Sequence, residues 1–211
     1  MFTKREVLPL DLYEFQVPEK ILDKLKLDCD NVDWDGEAVH RDDMPHMGKT
    51  LDCTWHLEEK YFYLKKYIED SLEEVRLDRE WNHVRKFDVT SLWPNRSLKG
   101  QWHHGHTHGW SFLSGIIYVT GTTGRTWFSR KSEWEKISNF ELRSKENYDK
   151  ENIIQKHKPR PGTMLVFPSN LFHSVDEVLD DEPRVTISFN SFPTGEVGEL
   201  VSYSGAKISV N

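Results

Sequence analysis

The pattern of apolar and polar positions changes near residue 85 of this 211-residue chain. Before that point, apolar residues recur every three or four positions in two stretches, residues 18–27 and 58–76, a spacing typical of amphipathic helices. Residues 28–50 are rich in Asp, Gly, Pro and Met and show no period, so we interpret them as a loop. The first 80 residues are therefore expected to form a helical and loop part.

After residue 85 the period falls to two, and Gly, Pro and Asn separate short runs, which is typical of strands. Short strands joined by frequent turns indicate a barrel, a jelly roll or a sandwich, with the helices on one outer face. The length favours one domain, residues 1–211, with its β core over 81–211. The predicted strands are Val84–Leu92, Gln101–His108, Phe112–Thr120, Thr126–Ser129, Lys136–Leu142, Asn152–Lys156, Thr163–Phe167, Arg184–Phe192 and one near Leu200–Ser204.

Charge and composition exclude several classes of protein. The net charge of −7 argues against a partner that is nucleic acid or an anionic membrane. No run approaches the roughly 20 apolar residues of a membrane span, and the N-terminus lacks the apolar run of a signal peptide. Cys29 and Cys53 are too few for a disulfide framework or a thiolate zinc site. We therefore expect a cytoplasmic protein.

Four of the ten histidines fall within six positions, at His103, His104, His106 and His108. On a strand, residues two apart face the same side, so His106 and His108 can point at one ion. Imidazole is the common nitrogen ligand of Fe, Zn, Cu and Ni. A His-x-His pair alone fits equally well with an exposed histidine-rich loop that binds metals adventitiously.

A third imidazole comes from the segment 159–175. Its Pro161-Gly162 turn leads into a short apolar strand, a second turn follows, and His173 comes next. An early His-x-His strand and a late strand–turn–His can bring three imidazoles together across the mouth of a barrel. A lone histidine at position 173 also fits an ordinary core or surface residue.

The last predicted strand of the core alternates strictly between polar and apolar residues. We expect its polar face to project into a cavity and its apolar face to pack outward under the helices. A buried guanidinium needs an anionic partner, and its planar fork binds a carboxylate bidentately. An edge strand whose polar face meets water is the alternative. The polar face carries Arg184, Thr186, Ser188 and Asn190, and the apolar face carries Val185, Ile187 and Phe189.

Taken together, these motifs resemble the iron(II)/2-oxoglutarate-dependent oxygenase superfamily, and within it the phage and bacterial group related to prolyl 4-hydroxylases. The resemblance covers about residues 81–192. Its specificity comes from the order of the motifs and from the spacing of 11 positions between His173 and Arg184. The motifs are Trp93–Asn95, Gly100, His106-Thr107-His108, Ser114-Gly115, Tyr118, Pro161-Gly162, Phe167-Pro168, His173, Arg184 and Ser188-Phe189-Asn190.

The resemblance implies a mainly β fold, a double-stranded β-helix of the jelly-roll type. It also implies a hydroxylase that uses Fe(II) and 2-oxoglutarate, releases succinate and carbon dioxide, and takes ascorbate as a reductant. Carried over to this chain, His106 and His173 become iron ligands and Arg184 holds the distal carboxylate of 2-oxoglutarate. Thr186 assists that arginine, and Tyr118 reaches the same carboxylate. The prime substrate, peptidyl or a small molecule, is not fixed by kinship of fold.

This chain departs from the superfamily at one ligand position. The usual motif is His-x-Asp/Glu, whereas position 108 here is histidine. Three neutral imidazoles leave an iron(II) ion with its full charge, whereas a carboxylate would cancel one unit. The departure therefore predicts a shifted redox potential, a different metal, or a ligand shell completed by water or by a distant acid such as Asp176.

Two other functions stay open on the sequence. One is a cupin-like three-histidine metalloenzyme that uses no 2-oxoglutarate, since Gly100 and the His106-x-His108 pair fit the start of a cupin motif. Residues 109–115, however, lack the glutamate that cupins place there. The other is a non-catalytic jelly-roll binding protein. Arg184 discriminates between these functions because only a 2-oxoglutarate enzyme requires it.

Overall fold

The computed structural model of the chain describes residues 12–34, 48–129, 153–197 and 206–209. Within these ranges the protein has two α-helices, α1 (Glu19–Asp30) and α2 (Phe62–Asp78), and two short 3-10 helices between them. The strands of the described ranges are β1 (Tyr13–Gln16), β2 (Lys49–Thr50), β3 (Lys86–Ser97), β4 (His103–His106), β5 (Leu113–Tyr118), β6 (Thr126–Ser129), β7 (Ile153–His157), β8 (Thr163–Pro168), β9 (Phe172–Val175), β10 (Arg184–Val197) and β11 (Ala206–Ile208).

The strands form two antiparallel sheets. The larger sheet has the order β1-β8-β5-β10-β3-β2, with β11 paired to β10, and the smaller sheet has the order β4-β9-β6-β7. A small apolar cluster joins them, in which Ile116 and Leu165 of the larger sheet contact Phe128 of the smaller one. This is the jelly-roll architecture expected from the sequence.

The two helices cover the outer face of the larger sheet, as the sequence predicts. Helix α2 buries a row of apolar residues at helical spacing, and α1 adds Leu25 to the same core. Opposite them, β10 contributes the apolar face of its alternation, and burial of both faces stabilises the packing. The buried row of α2 is Leu64, Ile68, Leu72 and Val75, and that of β10 is Val185, Ile187 and Phe189.

Four strands of the structure are absent from the sequence prediction. Strands β1 and β2 lie in the part interpreted as helix and loop. The loop predicted over residues 28–50 was wrong at both ends, because α1 extends to Asp30 and Lys49–Thr50 pairs with β3. Both strands are short, and backbone pairing to a neighbour leaves no periodic pattern in two to four residues. Strand β9 directly follows the predicted turn, and β11 lies beyond the strand predicted near Leu200–Ser204. That predicted strand and the predicted strand Lys136–Leu142 both lie outside the described residues.

No helix among the described residues is both long enough and apolar enough to cross a membrane.

The helix ends also differ from the predicted bounds. Helix α2 begins at Phe62 rather than at residue 58, because the preceding residues form the 3-10 helices Trp55–Leu57 and Glu59–Tyr61. In the second of these turns, the Tyr61 ring stacks on Trp55 at 3.9 Å between centroids.

Candidate metal centre and cosubstrate pocket

A cavity of about 790 Å³ lies between the two sheets. Side chains from both sheets line it, and five of the six site residues predicted from the sequence are among them. The sixth, Tyr118, is fully buried beside the cavity. The five that line the cavity are His106, His108, His173, Arg184 and Thr186.

Three histidines converge at one end of the cavity. His106 of β4 lies directly opposite His173 of β9, and His108 follows β4 by two residues. The candidate ligand atoms of all three lie within 4.8 Å of one another, and Nε2 of His108 is 3.2 Å from Nε2 of His173. Two nitrogens that bind one ion at about 2.1 Å stand about 3 Å apart, so this spacing suits a shared metal.

Backbone carbonyl groups orient two of the three rings. The Nδ1 of His106 lies 3.0 Å from the carbonyl oxygen of His104, and the Nδ1 of His173 lies 2.9 Å from that of Leu171. A neutral ring that donates its Nδ1–H to a carbonyl presents an unprotonated Nε2, which is the form that binds metal. Both rings are thus held with a lone pair directed at the cluster.

Burial keeps these imidazoles neutral. It lowers the pKa of His173 to about 3 and that of His108 to about 4, with a further contribution from neighbouring histidines, and it also lowers the pKa of His106. Proton competition for the lone pairs is therefore weak at neutral pH, which favours metal binding. Across the described residues the cluster contains histidines alone, and Asp176 is not part of it.

A glycine shapes the strand that carries the first ligand. The register between β4 and β9 shifts between His103 and His106. A Cβ atom at Gly105 would lie 2.1 Å from the Phe172 ring, so only glycine lets the two strands approach here. The histidine-rich motif is therefore a tightly paired strand, and the interpretation as an exposed loop was wrong.

Arg184 lies on the inner face of β10, with only 3% of its surface exposed. Its Nη2 donates a hydrogen bond to Thr126 Oγ1 at 3.2 Å, and its guanidinium carbon is 5.4 Å from the centroid of the Tyr118 ring. Among the described residues no carboxylate pairs with it, and its buried Nε has no hydrogen-bond partner. Burial lowers the pKa of Arg184. A buried cation with an unused donor fits a carboxylate ligand.

Thr126 lines the cavity and was missed by the sequence analysis. Its Oγ1 accepts a second hydrogen bond, from the Tyr118 hydroxyl at 2.8 Å, so Tyr118 and Arg184 meet at one oxygen. Thr186 lies directly opposite Tyr118 in the β5–β10 register and is buried. The only sequence signal for Thr126 was a threonine at the start of the predicted strand Thr126–Ser129.

Two aromatic residues, Trp93 on β3 and Phe167 on β8, line the described part of the cavity. The ring centroid of Trp93 lies 6.0 Å from that of His108. Trp110 is 99% exposed and has a positive φ of 60°. Phe112 packs edge-on against Trp81.

Residues 91–190 match the model of a family described as "Putative 2OG-Fe(II) oxygenase". The match runs from β3 into β10 and contains all six predicted site residues. The match covers just under half of the chain, and this part of it is similar to the 2OG-Fe(II) oxygenases. The superfamily and the enzyme class predicted from the sequence are confirmed. No curated protein sequence matches the chain.

Several solved structures share this fold. A prolyl-4-hydroxylase from Pseudomonas putida is 12% identical with a TM-score of 0.60, over 89% of this chain and 95% of that one. HygX from Streptomyces hygroscopicus, bound to nickel, 2-oxoglutarate and hygromycin B, is 13% identical with a TM-score of 0.61, over 94% and 91%. SnoN, an epimerase from nogalamycin biosynthesis, is 10% identical with a TM-score of 0.66, over 88% and 79%. These likenesses confirm the double-stranded β-helix.

Proposed function

We propose that this 2OG-Fe(II) oxygenase hydroxylates its prime substrate at a metal held by His106, His108 and His173. Arg184 binds the distal carboxylate of 2-oxoglutarate, with Thr186 and Tyr118 beside it. The observation that carries the proposal is the buried guanidinium without an acid, in the same cavity as three converging imidazoles. A cupin-like enzyme has no need of that guanidinium.

The bound iron and 2-oxoglutarate supply the oxidising chemistry, and the protein supplies position and environment. The three imidazoles approach from β4, β9 and the segment after β4, which leaves the cavity side of the site open to cosubstrate and substrate. Arg184 and Thr126 fix the far end of the diacid through charge and hydrogen bonds. The apolar cluster around Phe128 and Phe167 excludes water from behind His173.

The histidine at position 108 changes the charge balance of this centre. Three neutral ligands leave a divalent ion with two positive charges, so the ion, Arg184 and the dianion of 2-oxoglutarate together carry one net positive charge. With the usual aspartate or glutamate the same assembly would be neutral. His108 therefore favours binding of the dianionic cosubstrate.

Other features support a more specific setting. Cys29 and Cys53 are free thiols, which supports a cytoplasmic location. The net charge of −7 disfavours nucleic acid as a partner. A peptide or a small molecule remains the substrate class we propose, since the similar structures include a prolyl-4-hydroxylase and an enzyme bound to hygromycin B.

The proposal is tested by aerobic incubation with Fe(II), ascorbate and 2-oxoglutarate, with succinate as the measured product. We expect succinate from the native protein and at least about tenfold less from Arg184→Gln, which removes the charge but keeps a polar side chain. Arg96→Gln is the matched control, because Arg96 lies on the neighbouring strand β3 and on the other face of the sheet, beside Trp34. Equal succinate formation by the native protein and Arg184→Gln would contradict the assigned pocket.

A further inference from the structure

We propose that one wall of the cavity, formed by Thr50, Asn95 and Ser188, is a subsite for the prime substrate that takes a neutral hydrogen-bonding group, an amide or a hydroxyl. The inference rests on the proposed function, because it assigns the wall to the substrate of that reaction. It goes further by naming the chemical class that the wall recognises. We call these three residues the polar wall.

The polar wall is a continuous chain of hydrogen bonds across three neighbouring strands. Thr50 Oγ1 of β2 donates to Asn95 Oδ1 of β3 at 2.8 Å, and Asn95 Nδ2 donates to Ser188 Oγ of β10 at 3.0 Å. All three residues line the cavity that contains the histidine cluster. These hydrogen bonds hold the three side chains in place before any ligand binds, and such preorganisation is usual in a specific pocket.

The three side chains of the polar wall still have unused hydrogen-bond donors and acceptors for a ligand. Ser188 Oγ accepts from Asn95 and still carries a hydroxyl hydrogen, and the amide of Asn95 has a second N–H. Thr50 Oγ1 donates its hydrogen to Asn95 and keeps lone pairs that can accept. The polar wall therefore offers both donors and acceptors, which suits an amide or a hydroxyl because each of these groups also donates and accepts.

The wall carries no formal charge of its own. Two residues near Thr50 in the chain, Lys49 and Asp52, also line the cavity, and their charges are of opposite sign. Arg96 lies on the outer face of β3, where its guanidinium is 5.8 Å from the Trp34 ring. A charged substrate group held by the three side chains of the polar wall would lose its hydration and gain only hydrogen bonds to neutral groups.

An apolar surface lies between the polar wall and the metal centre. Trp93 is the inward neighbour of Asn95 on β3, lies opposite Ser188 in the β3–β10 register, and its ring centroid is 6.0 Å from that of His108. A substrate held by the polar wall thus lays its C–H surface on Trp93, beside the histidine cluster. The geometry selects a molecule whose reacting C–H lies near a neutral amide or hydroxyl.

The test measures binding of small probes to protein loaded with Ni(II) and 2-oxoglutarate, by ligand-observed NMR. One set is N-acetyl-leucinamide, N-acetyl-leucine and leucinamide, and the other is methyl glucoside, glucuronate and glucosamine. In at least one set we expect the neutral member to bind about tenfold more tightly than both charged members. The set that shows this identifies amide or hydroxyl as the group. Equal or tighter binding of a charged member in both sets, or no binding of either neutral probe, would overturn the inference.

Asn95 provides a sharper arm of the same test. Asn95→Asp keeps the shape but adds a negative charge, so preference should shift by about tenfold from the neutral probe to the cationic one. Arg96→Gln, on the outer face of the same strand, should leave the preference unchanged. Retention of the neutral preference in Asn95→Asp would overturn the inference. Binding of 2-oxoglutarate to the Ni(II) protein is measured separately, so that its failure counts against the proposed function and not against the polar wall.

Discussion

The guanidinium of Arg184 and the hydroxyl of Thr126 are joined by a hydrogen bond of 3.2 Å inside the cavity. Because Thr126 Oγ1 accepts this bond and a second one from Tyr118, its own hydrogen must be donated to another group. A carboxylate held by Arg184 is an acceptor at that position. The pair thus forms a charged donor and a neutral donor for one end of a diacid.

The variant Thr126→Val keeps the shape of the side chain and removes its oxygen. We expect the affinity for 2-oxoglutarate to fall about tenfold, since the carboxylate loses one donor and the guanidinium loses an acceptor. Calorimetric titration of 2-oxoglutarate into Ni(II)-loaded protein measures this. Thr122→Val, at an exposed threonine bonded to Asp180, is the control and should bind as the native protein does. Native affinity in Thr126→Val would exclude Thr126 from the pocket.

The backbone at Gly124 passes close to the aliphatic part of the Arg184 side chain. It has a positive φ of 74°, and a Cβ atom there would lie 2.9 Å from Cδ of Arg184. Gly124→Ala should therefore displace Arg184 and lower the stability by about 1 kcal/mol, with weaker 2-oxoglutarate binding. Gly109→Ala is the matched control, because a Cβ atom at Gly109 meets nothing within 4 Å. Chemical denaturation and calorimetry of both variants test this, and equal behaviour of the two would contradict it.

The third ligand can be tested by restoring the usual acid. His108→Asp should still bind a divalent metal, but its carboxylate adds a negative charge next to the cosubstrate site. We expect a changed visible absorption spectrum of the Co(II)-loaded protein and a weaker affinity for 2-oxoglutarate. His104→Ala changes a histidine of β4 that lies outside the cluster and is the control. An unchanged Co(II) spectrum in His108→Asp would mean that His108 does not bind the metal.

A histidine outside the cluster makes the metal-free protein sensitive to acid. His157 is buried and stacks on Tyr118 at 5.5 Å between centroids, and its Nε2 has no hydrogen-bond partner. Burial lowers its pKa from 6.5; the nearby carboxylate of Glu14 opposes this shift, and Arg160 adds to it. Its contribution to stability is complete above the unfolded-state pKa and is lost as the pH falls through the lower folded-state pKa.

The variant His157→Phe removes this proton site but keeps the ring stacked on Tyr118. We expect its free energy of unfolding to fall less steeply than that of the native protein as the pH is lowered below 6.5. Urea denaturation of both proteins at a series of pH values measures the two slopes. Parallel curves would show that His157 is not protonated on unfolding in this range.

The parts of the fold predicted from the sequence are those in which burial imposes a period. The alternation from Arg184 to Phe189 predicted which face of β10 meets the helices and which faces the cavity, because one face is apolar and the other polar. Likewise, the spacing of three and four residues along α2 predicted its buried row. Strand β2 has two residues and no period, so its place beside the cavity was not visible.

The site was predicted only where chemistry marks a residue type. Three histidines and an arginine stand out in a sequence, and the structure brings them to one cavity. Thr126 and Thr50 do not stand out, because threonine is common in strands and their roles depend on which strands become neighbours. The aromatic residues of the cavity were not visible either, because the strand pairing decides which rings face inward: Trp93 and Phe167 line the described part of the cavity.

In the proposed function, three imidazoles share one metal and Arg184 binds the cosubstrate beside it. A crystal structure of the protein with Ni(II) and 2-oxoglutarate, with the metal located by anomalous scattering, would show both contacts. We expect one nickel ion bound by Nε2 of His106, His108 and His173, with a carboxylate of the diacid paired to the Arg184 guanidinium. A nickel ion bound elsewhere, or a diacid that does not touch Arg184, would contradict the proposed function.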